Sequence, residues 1–382
     1  MSVRNRDRSM TLSANGNAYT LTLAEIPEGI QGLRDSLEVN ASAAIEYLSQ
    51  YIRWKGTLDF VVRWSTENLE GWWSPSANGF AAYGGIESSG YTYANAEAIS
   101  GIDANGDDYD IGTWISPYST TKLTNYGEDV FVDPAPQPLG TPRLDGKHDF
   151  YSIFLHEVFH GLGAWSNAQH ELSATAFDRL TGIENDKWHF IGTATKQYFG
   201  GGLPLADTGS RDHFSDSIPA AYNLNREYAR DWERWSLTGL ELSFLKDLGY
   251  GLTPEGEALL DTYPLSIDSV TRITAFDVTE DRIEIPDELT GILKSSSLYS
   301  ISAPIYPGMK ATKKEWKAYK SALKKIKTLE KKIGQTGDAF AYKQSTGEFF
   351  VDTNGTQKGF GEGGLLAVLE NQPLLGTSNI AS

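Results

Sequence analysis

Two histidines and a glutamate are the residues in this sequence best spaced for chemistry. Residues 155–165 read LHEVFHGLGAW, so His156, Glu157 and His160 form H-E-x-x-H. Positions i and i+4 share one face of a helix, which lets both imidazoles reach a single ion. Glu157 lies beside that face and can take a proton from metal-bound water. The spacing predicts a zinc site that hydrolyses through activated water, with Glu157 as general base. A catalytic zinc needs a third protein ligand. Four other histidines are available: His148, His170, His189 and His213. His148 precedes the helix and is expected to point away. His189, between Trp188 and Phe190, reads as a packed side chain, and Glu171 is a carboxylate alternative.

The elements that must position these groups come next. Asp149 is a helix cap, Ile153 and Phe154 supply a buried face, and Gly161 and Gly163 end the helix after the second histidine. The pattern predicts a helix over about 149–162, preceded by a Pro/Gly-rich loop at 133–147. Leu33, Leu37, Ala44, Ile45, Leu48 and Ile52 repeat at helical spacing and predict a helix over 33–54. GTLDFVVRW (56–64) reads as a strand. Residues 65–120 read as short strands and loops, 163–223 as loop-rich, and 237–249 as a helix. Helices and strands mix without strict alternation, so the expected class is α+β with the histidine helix packed on a mixed sheet.

Residues 150–165 resemble the active-site helix of metzincin zinc endopeptidases, down to Gly163 at the turn. The third histidine of the compact form of that motif would fall at Ser166. In the leishmanolysin branch it lies further downstream in a Ser-His-Trp context, which SRDHFSD (210–216) resembles. The resemblance implies zinc held by His156, His160 and His213, with His170 and Glu171 as the alternatives to His213. It extends to FIGTATKQYFGGGLPL (190–205) and SLTGLELSFLKDLGY (236–250). It implies a zincin-like mixed sheet, protein or peptide substrates, and an oxyanion hydrogen bond from Tyr222 or Tyr228. The chain departs from the family in having methionine only at 1, 10 and 309, so no methionine turn follows His213.

Composition sets the outer limits. The chain has 382 residues, enough for two domains, and the boundary is read near 252–268. The expected division is a catalytic domain over 1–252 and a smaller β-rich module over 265–382. Acidic residues outnumber basic ones 50 to 33, so no nucleic-acid footprint exists overall. Cysteine is absent, which excludes thiolate zinc sites and cysteine nucleophiles. No run approaches the ~20 apolar residues of a membrane span, and the N-terminal stretch has no secretory h-region. GFGEGG (359–364) lacks the βαβ context of a dinucleotide site.

Three further features carry expectations. GIDANGDDYDIG (101–112) gathers Asp103, Asn105, Asp107 and Asp110, oxygen ligands suited to calcium or an Asp/Asn-rich turn. Residues 311–334 form an amphipathic lysine-rich helix, read either as an anionic-surface contact or as a helix laid on its own acidic protein. TAFDVTEDRIEIP (274–286), FAYKQSTGEFFVDTNG (340–355) and GFGEGGLLAVLENQP (359–373) resemble the terminal module of calcium-binding-repeat proteins exported by type I secretion. That resemblance implies a secreted protein that engages the secretion apparatus through its C-terminus. The alternatives are a catalytically inactive, calcium-stabilised surface or adhesion protein, and a zinc hydrolase acting on a non-peptide amide.

Overall fold

A computed structural model describes residues 8–26, 32–64, 80–83, 90–115, 130–131, 136, 148–166, 174–206, 211–215, 218, 234–264, 270–273, 276–290, 293, 297–302, 304 and 312–381. His170, Glu171, Tyr222 and Tyr228 lie outside them. The fold is mixed α+β with several small sheets. The chain divides into two compact units. The first holds residues 1–195, 202–218 and 222–259, and the second holds 196–201, 219–221 and 260–382.

The first unit is built on a five-stranded sheet. Its strands are β1 (Arg8–Ala14), β2 (Asn17–Ala24), β4 (Thr57–Trp64), β5 (Phe80–Tyr83) and β6 (Ile111–Ile115); β3 (Ile52–Arg53) pairs separately with Gly251–Leu252. Strand order is β1-β2-β4-β6-β5. The Asn15-Gly16 turn has positive φ at both residues, 50° and 85°, matching the right-handed twist of a tight hairpin. β2, β4 and β6 run parallel, and β5 closes the edge antiparallel to β6. Tyr19, Leu21 and Leu23 alternate inward along β2 with at most 1% exposure.

Helix α1 (Leu33–Tyr51) buries Leu33, Leu37, Ala41, Ala44, Ile45 and Leu48. It ends three residues before the expected limit, and Ile52, expected within the helix, is buried in β3 instead. Helix α2 (Tyr93–Ser100) falls in the stretch read as strands and loops. Thr92 caps it by accepting from the Asn95 amide, and Gly101 ends it at φ 78°. At eight residues, set among Gly, Asn and Ser, it offers too few apolar positions for a periodic signal.

Helix α3 (Phe150–Gly161) carries the H-E-x-x-H residues. It packs on α1, β5 and β6. Eleven of its twelve residues are buried, so it is a core helix with no solvent face. Phe150, Phe154, Leu155, Val158 and Phe159 are each at most 1% exposed. Burying such side chains contributes about 1.5–3 kcal/mol each. Gly161 lets the helix approach the sheet, because a Cβ there would stand 2.7 Å from Ile111.

The second unit has a five-stranded sheet ordered Thr271–Ile273, Gly364–Leu369, Glu348–Val351, Phe340–Lys343, Leu298–Ile301. A three-stranded sheet joins Thr262–Pro264, Arg282–Glu284 and Ile380–Ala381. The lysine-rich helix runs Lys313–Glu330, capped by the reciprocal Thr312–Glu315 pair, and buries none of its residues fully. Among the described residues no helix is long and apolar enough to cross a membrane.

Candidate metal centre

The site begins at the capped end of α3. Asp149 accepts from the Ser152 amide and hydroxyl, at 3.3 and 2.7 Å. The same carboxylate takes a two-pronged grip from Arg234, Nε to Oδ2 and Nη2 to Oδ1, both at 2.9 Å. Both side chains are 1% exposed, and the guanidinium lies 4.9 Å over the Tyr151 ring. A buried carboxylate at a helix N-terminus satisfies orphan amides and faces the positive end of the dipole.

Two turns later the helix presents His156 and His160 on one face. His160 Nδ1 stands 2.7 Å from the Ala164 carbonyl. A carbonyl can only accept, so Nδ1 carries the proton and Nε2 carries a lone pair. The carbonyl sits beyond Gly163, whose φ of 123° makes the reversal. Burial and the neighbouring His213 push the His160 pKa down to about 4, which keeps the ring neutral and ready to ligate.

His213 arrives from a segment far along the chain. Leu205 and Phe214 form an antiparallel bridge, and the Ala206 amide donates to the His213 carbonyl at 2.9 Å. Strand Leu203–Pro204 is itself paired to Lys187–Phe190. Phe214 is fully buried and meets Phe159 of α3 at 6.3 Å and Phe244 at 5.7 Å, both edge to face. Phe244 lies in helix Gly239–Asp247, which starts from a reciprocal Thr238–Glu241 cap. It also contacts Phe159, Phe177 and Phe190. One aromatic cluster therefore joins Phe190, Phe214 and Phe244 to Phe159 of the histidine helix.

The three rings converge through Nε2. His160 Nε2 is 3.0 Å from that of His156 and 3.1 Å from that of His213. All three residues are buried, at 7%, 4% and 3% exposure for His156, His160 and His213. One lone pair on His160 cannot satisfy two N–H donors, so hydrogen bonding alone does not account for the cluster. A tetrahedral ion with ~2.0–2.1 Å bonds to nitrogen holds its ligands about 3.3 Å apart, close to these separations. The group can hold a metal ion, and among the described residues it is the one set of three or more metal-capable side chains drawn within 4.8 Å of one another. Asp212 Oδ1 lies 3.3 Å from His213 Nδ1 and orients the ring from behind. The same histidine thus faces a carboxylate on one nitrogen and the cluster on the other.

Glu157 is 4% exposed, one residue on from His156 and about 100° around the helix. Ser166, at the third-ligand place of the compact motif, donates to Asp178 at 2.6 Å. His189 is packed as expected, 9% exposed, with Nδ1 3.0 Å from the Lys187 carbonyl. His148 sits in a two-residue strand paired with Val130–Phe131. Sequence reasoning missed Arg234 and Trp235. Trp235 is 7% exposed, its amide donates to the Ser152 hydroxyl at 2.7 Å, and its ring meets the His156 ring edge-on at 5.6 Å. Nothing local marks Arg234, which is one of several charges in NREYARDWERW.

The acidic loop behaves differently. Asp103 Oδ1 accepts from the Asn105 and Gly106 amides, at 3.1 and 2.7 Å. The Asn105 amide group donates to the Asp108 and Tyr109 carbonyls. Asp110 turns into the sheet, where Oδ2 accepts from the Asp59 amide at 2.8 Å. Asp103, Asp107 and Asp110 therefore form no convergent carboxylate set, and with Asn105 the bonds are those of an Asp/Asn-rich turn. Asp110 is 1% exposed and its Oδ1 has no hydrogen-bond partner among the described residues. Burial, then Glu97, Asp59 and Asp103, push its pKa up to about 7. The folded state thus binds more protons than the unfolded one between about pH 4 and 7, and stability falls as pH rises through that window. Asp110→Asn should raise the melting temperature at pH 8 and leave it little changed at pH 4. An equal gap at both pH values would show that the buried charge is not the cause.

Set against protein-family models, curated proteins and solved structures, the chain matches none.

Proposed function

We propose that the chain is a zinc-dependent endopeptidase whose site is His156, His160, His213 and Glu157. The observation that carries the reading is the convergence of three buried imidazole nitrogens, two of them from a helix that also buries Glu157. A hydrolytic site requires a base beside the metal-bound water, and Glu157 is the carboxylate next to His156 on this helix. The resemblance of 150–165 to metzincin active-site helices selects zinc and peptide substrates. A helix laid on a mixed sheet, with parallel strands at its centre and an antiparallel strand at each edge, is compatible with a zincin-like domain.

Zinc, when bound, lowers the pKa of water and polarises the scissile carbonyl. The protein's own groups do the rest. Glu157 accepts the proton of the attacking water and returns it to the leaving amine. His160 stays neutral far into acid, with its tautomer set by the Ala164 carbonyl. Asp212 holds the His213 ring. The buried aromatic cluster beneath α3 keeps bulk water from the back of the site.

The second unit is read as an export or accessory module of a secreted protein. Its support is the resemblance of 274–286, 340–355 and 359–373, stretches that supply three neighbouring strands of one sheet and one strand of the smaller sheet.

The experiment is cleavage of a mixed peptide library by the full chain as purified, after metal removal by chelation, and after zinc is restored. Cleavage should vanish with the metal and return with zinc. A zinc-loaded protein that cleaves nothing would replace this reading with the inactive scaffold or with a non-peptide amide as substrate.

A further inference from the structure

We propose that Trp235 is the positioning residue for His156, held in place by the Arg234–Asp149 pair, and so sets the geometry of the metal centre. The proposal rests on the metal-site reading of the three histidines. The Ala164 carbonyl orients His160 and the Asp212 carboxylate orients His213. For His156 the aromatic neighbour outside the histidine group is Trp235, whose ring stands at 66° to the imidazole with centroids 5.6 Å apart. An imidazole ring pressed by an indole edge loses freedom about its side-chain torsions, which is what a ligand must lose before it binds.

Trp235 is itself tied to α3 by more than that contact. Its amide donates to the Ser152 hydroxyl, which in turn donates to Asp149 Oδ2. Arg234, the preceding residue, locks the same carboxylate through both of its oxygens. The backbone at 234–235 is therefore pinned to the first turn of the helix that carries His156 two turns further on. Burial of Trp235 and Arg234, at 7% and 8% exposure, keeps water from competing for these bonds. Metal ligands depend on such supporting contacts, and losing one usually costs 10–100-fold in affinity.

The test uses the full chain, with zinc affinity read by competition against a chromogenic chelator and geometry read from the visible absorption of the cobalt-substituted protein. Trp235→Leu keeps an apolar side chain but removes the ring, and should weaken zinc about 10–100-fold and alter the cobalt band positions. Trp235→Phe keeps an aromatic edge and should stay within a few-fold of wild type with a near-native spectrum. A third variant, Ser152→Ala, frees the Trp235 amide without touching the core ring, and should give an intermediate loss. Affinity and spectrum unchanged in Trp235→Leu would overturn the positioning role while leaving the metal site intact. Wild type that takes up neither zinc nor cobalt would overturn the metal site itself, and the positioning role with it.

Discussion

Glu157→Gln should lower the rate of peptide hydrolysis by about 10²–10⁴-fold, the usual contribution of a positioned general base, with zinc content unchanged. Glutamine preserves volume, helix propensity and hydrogen-bonding capacity, so α3 and the histidine cluster stay as they are. What disappears is the ability to take up and return a proton. The site gives the change a clean readout, because Glu157 is buried with His156 and His160 on one core helix and the ligand atoms belong to other residues. Steady-state kinetics on a cleaved peptide, paired with metal analysis of the same samples, decides the matter. Equal rates in variant and wild type at equal zinc loading would remove Glu157 from the chemistry.

Arg234→Ala should destabilise the protein by about 3–5 kcal/mol, the cost of stranding one member of a buried ion pair. The carboxylate it leaves behind is 1% exposed and keeps only its bonds to Ser152. The charge, rather than the lost packing alone, should dominate. Combining Arg234→Met with Asp149→Asn therefore ought to recover most of the loss, since a neutral, well-filled replacement for a buried pair is often nearly isoenergetic. Denaturant midpoints of the full chain at pH 7 measure both. A loss under about 1 kcal/mol in Arg234→Ala would mean that water reaches Asp149 and that the pair does not anchor this segment.

Much of the histidine helix was legible because its determinants are local. The cap at Asp149, the apolar Phe154 and the glycines after His160 all act within a few residues of one another, although Ile153, expected on the buried face, is the one residue of the helix that is not buried. The observed limits, Phe150–Gly161 with an Asp149 cap, fall within a residue of the reading. Helix Gly239–Asp247 and the lysine-rich helix were legible for the same reason, although each is shorter than its pattern suggested. α2 was not, because eight residues give a weak period and its start and stop signals, Thr92 and Gly101, lie in a stretch crowded with turn formers. His213 was reachable only through resemblance. No periodicity links it to a helix 53 residues away, and its delivery depends on the Leu205–Phe214 bridge and on Phe214 entering the aromatic cluster.

The sequence by itself determined a metal-capable histidine pair, a glutamate beside it and the helix that carries them, since side chains four residues apart on a helix share a face whatever surrounds them. Tertiary structure alone decided which further groups complete the site. It brought His213 to the pair, turned Asp212 behind that ring, placed Arg234 on Asp149 across 85 residues of chain, and set Asp110 against the Asp59 amide of the sheet. The difference is physical. Local backbone geometry is set by neighbours in the chain, whereas the partner of a buried charge is set by which distant surfaces exclude water together.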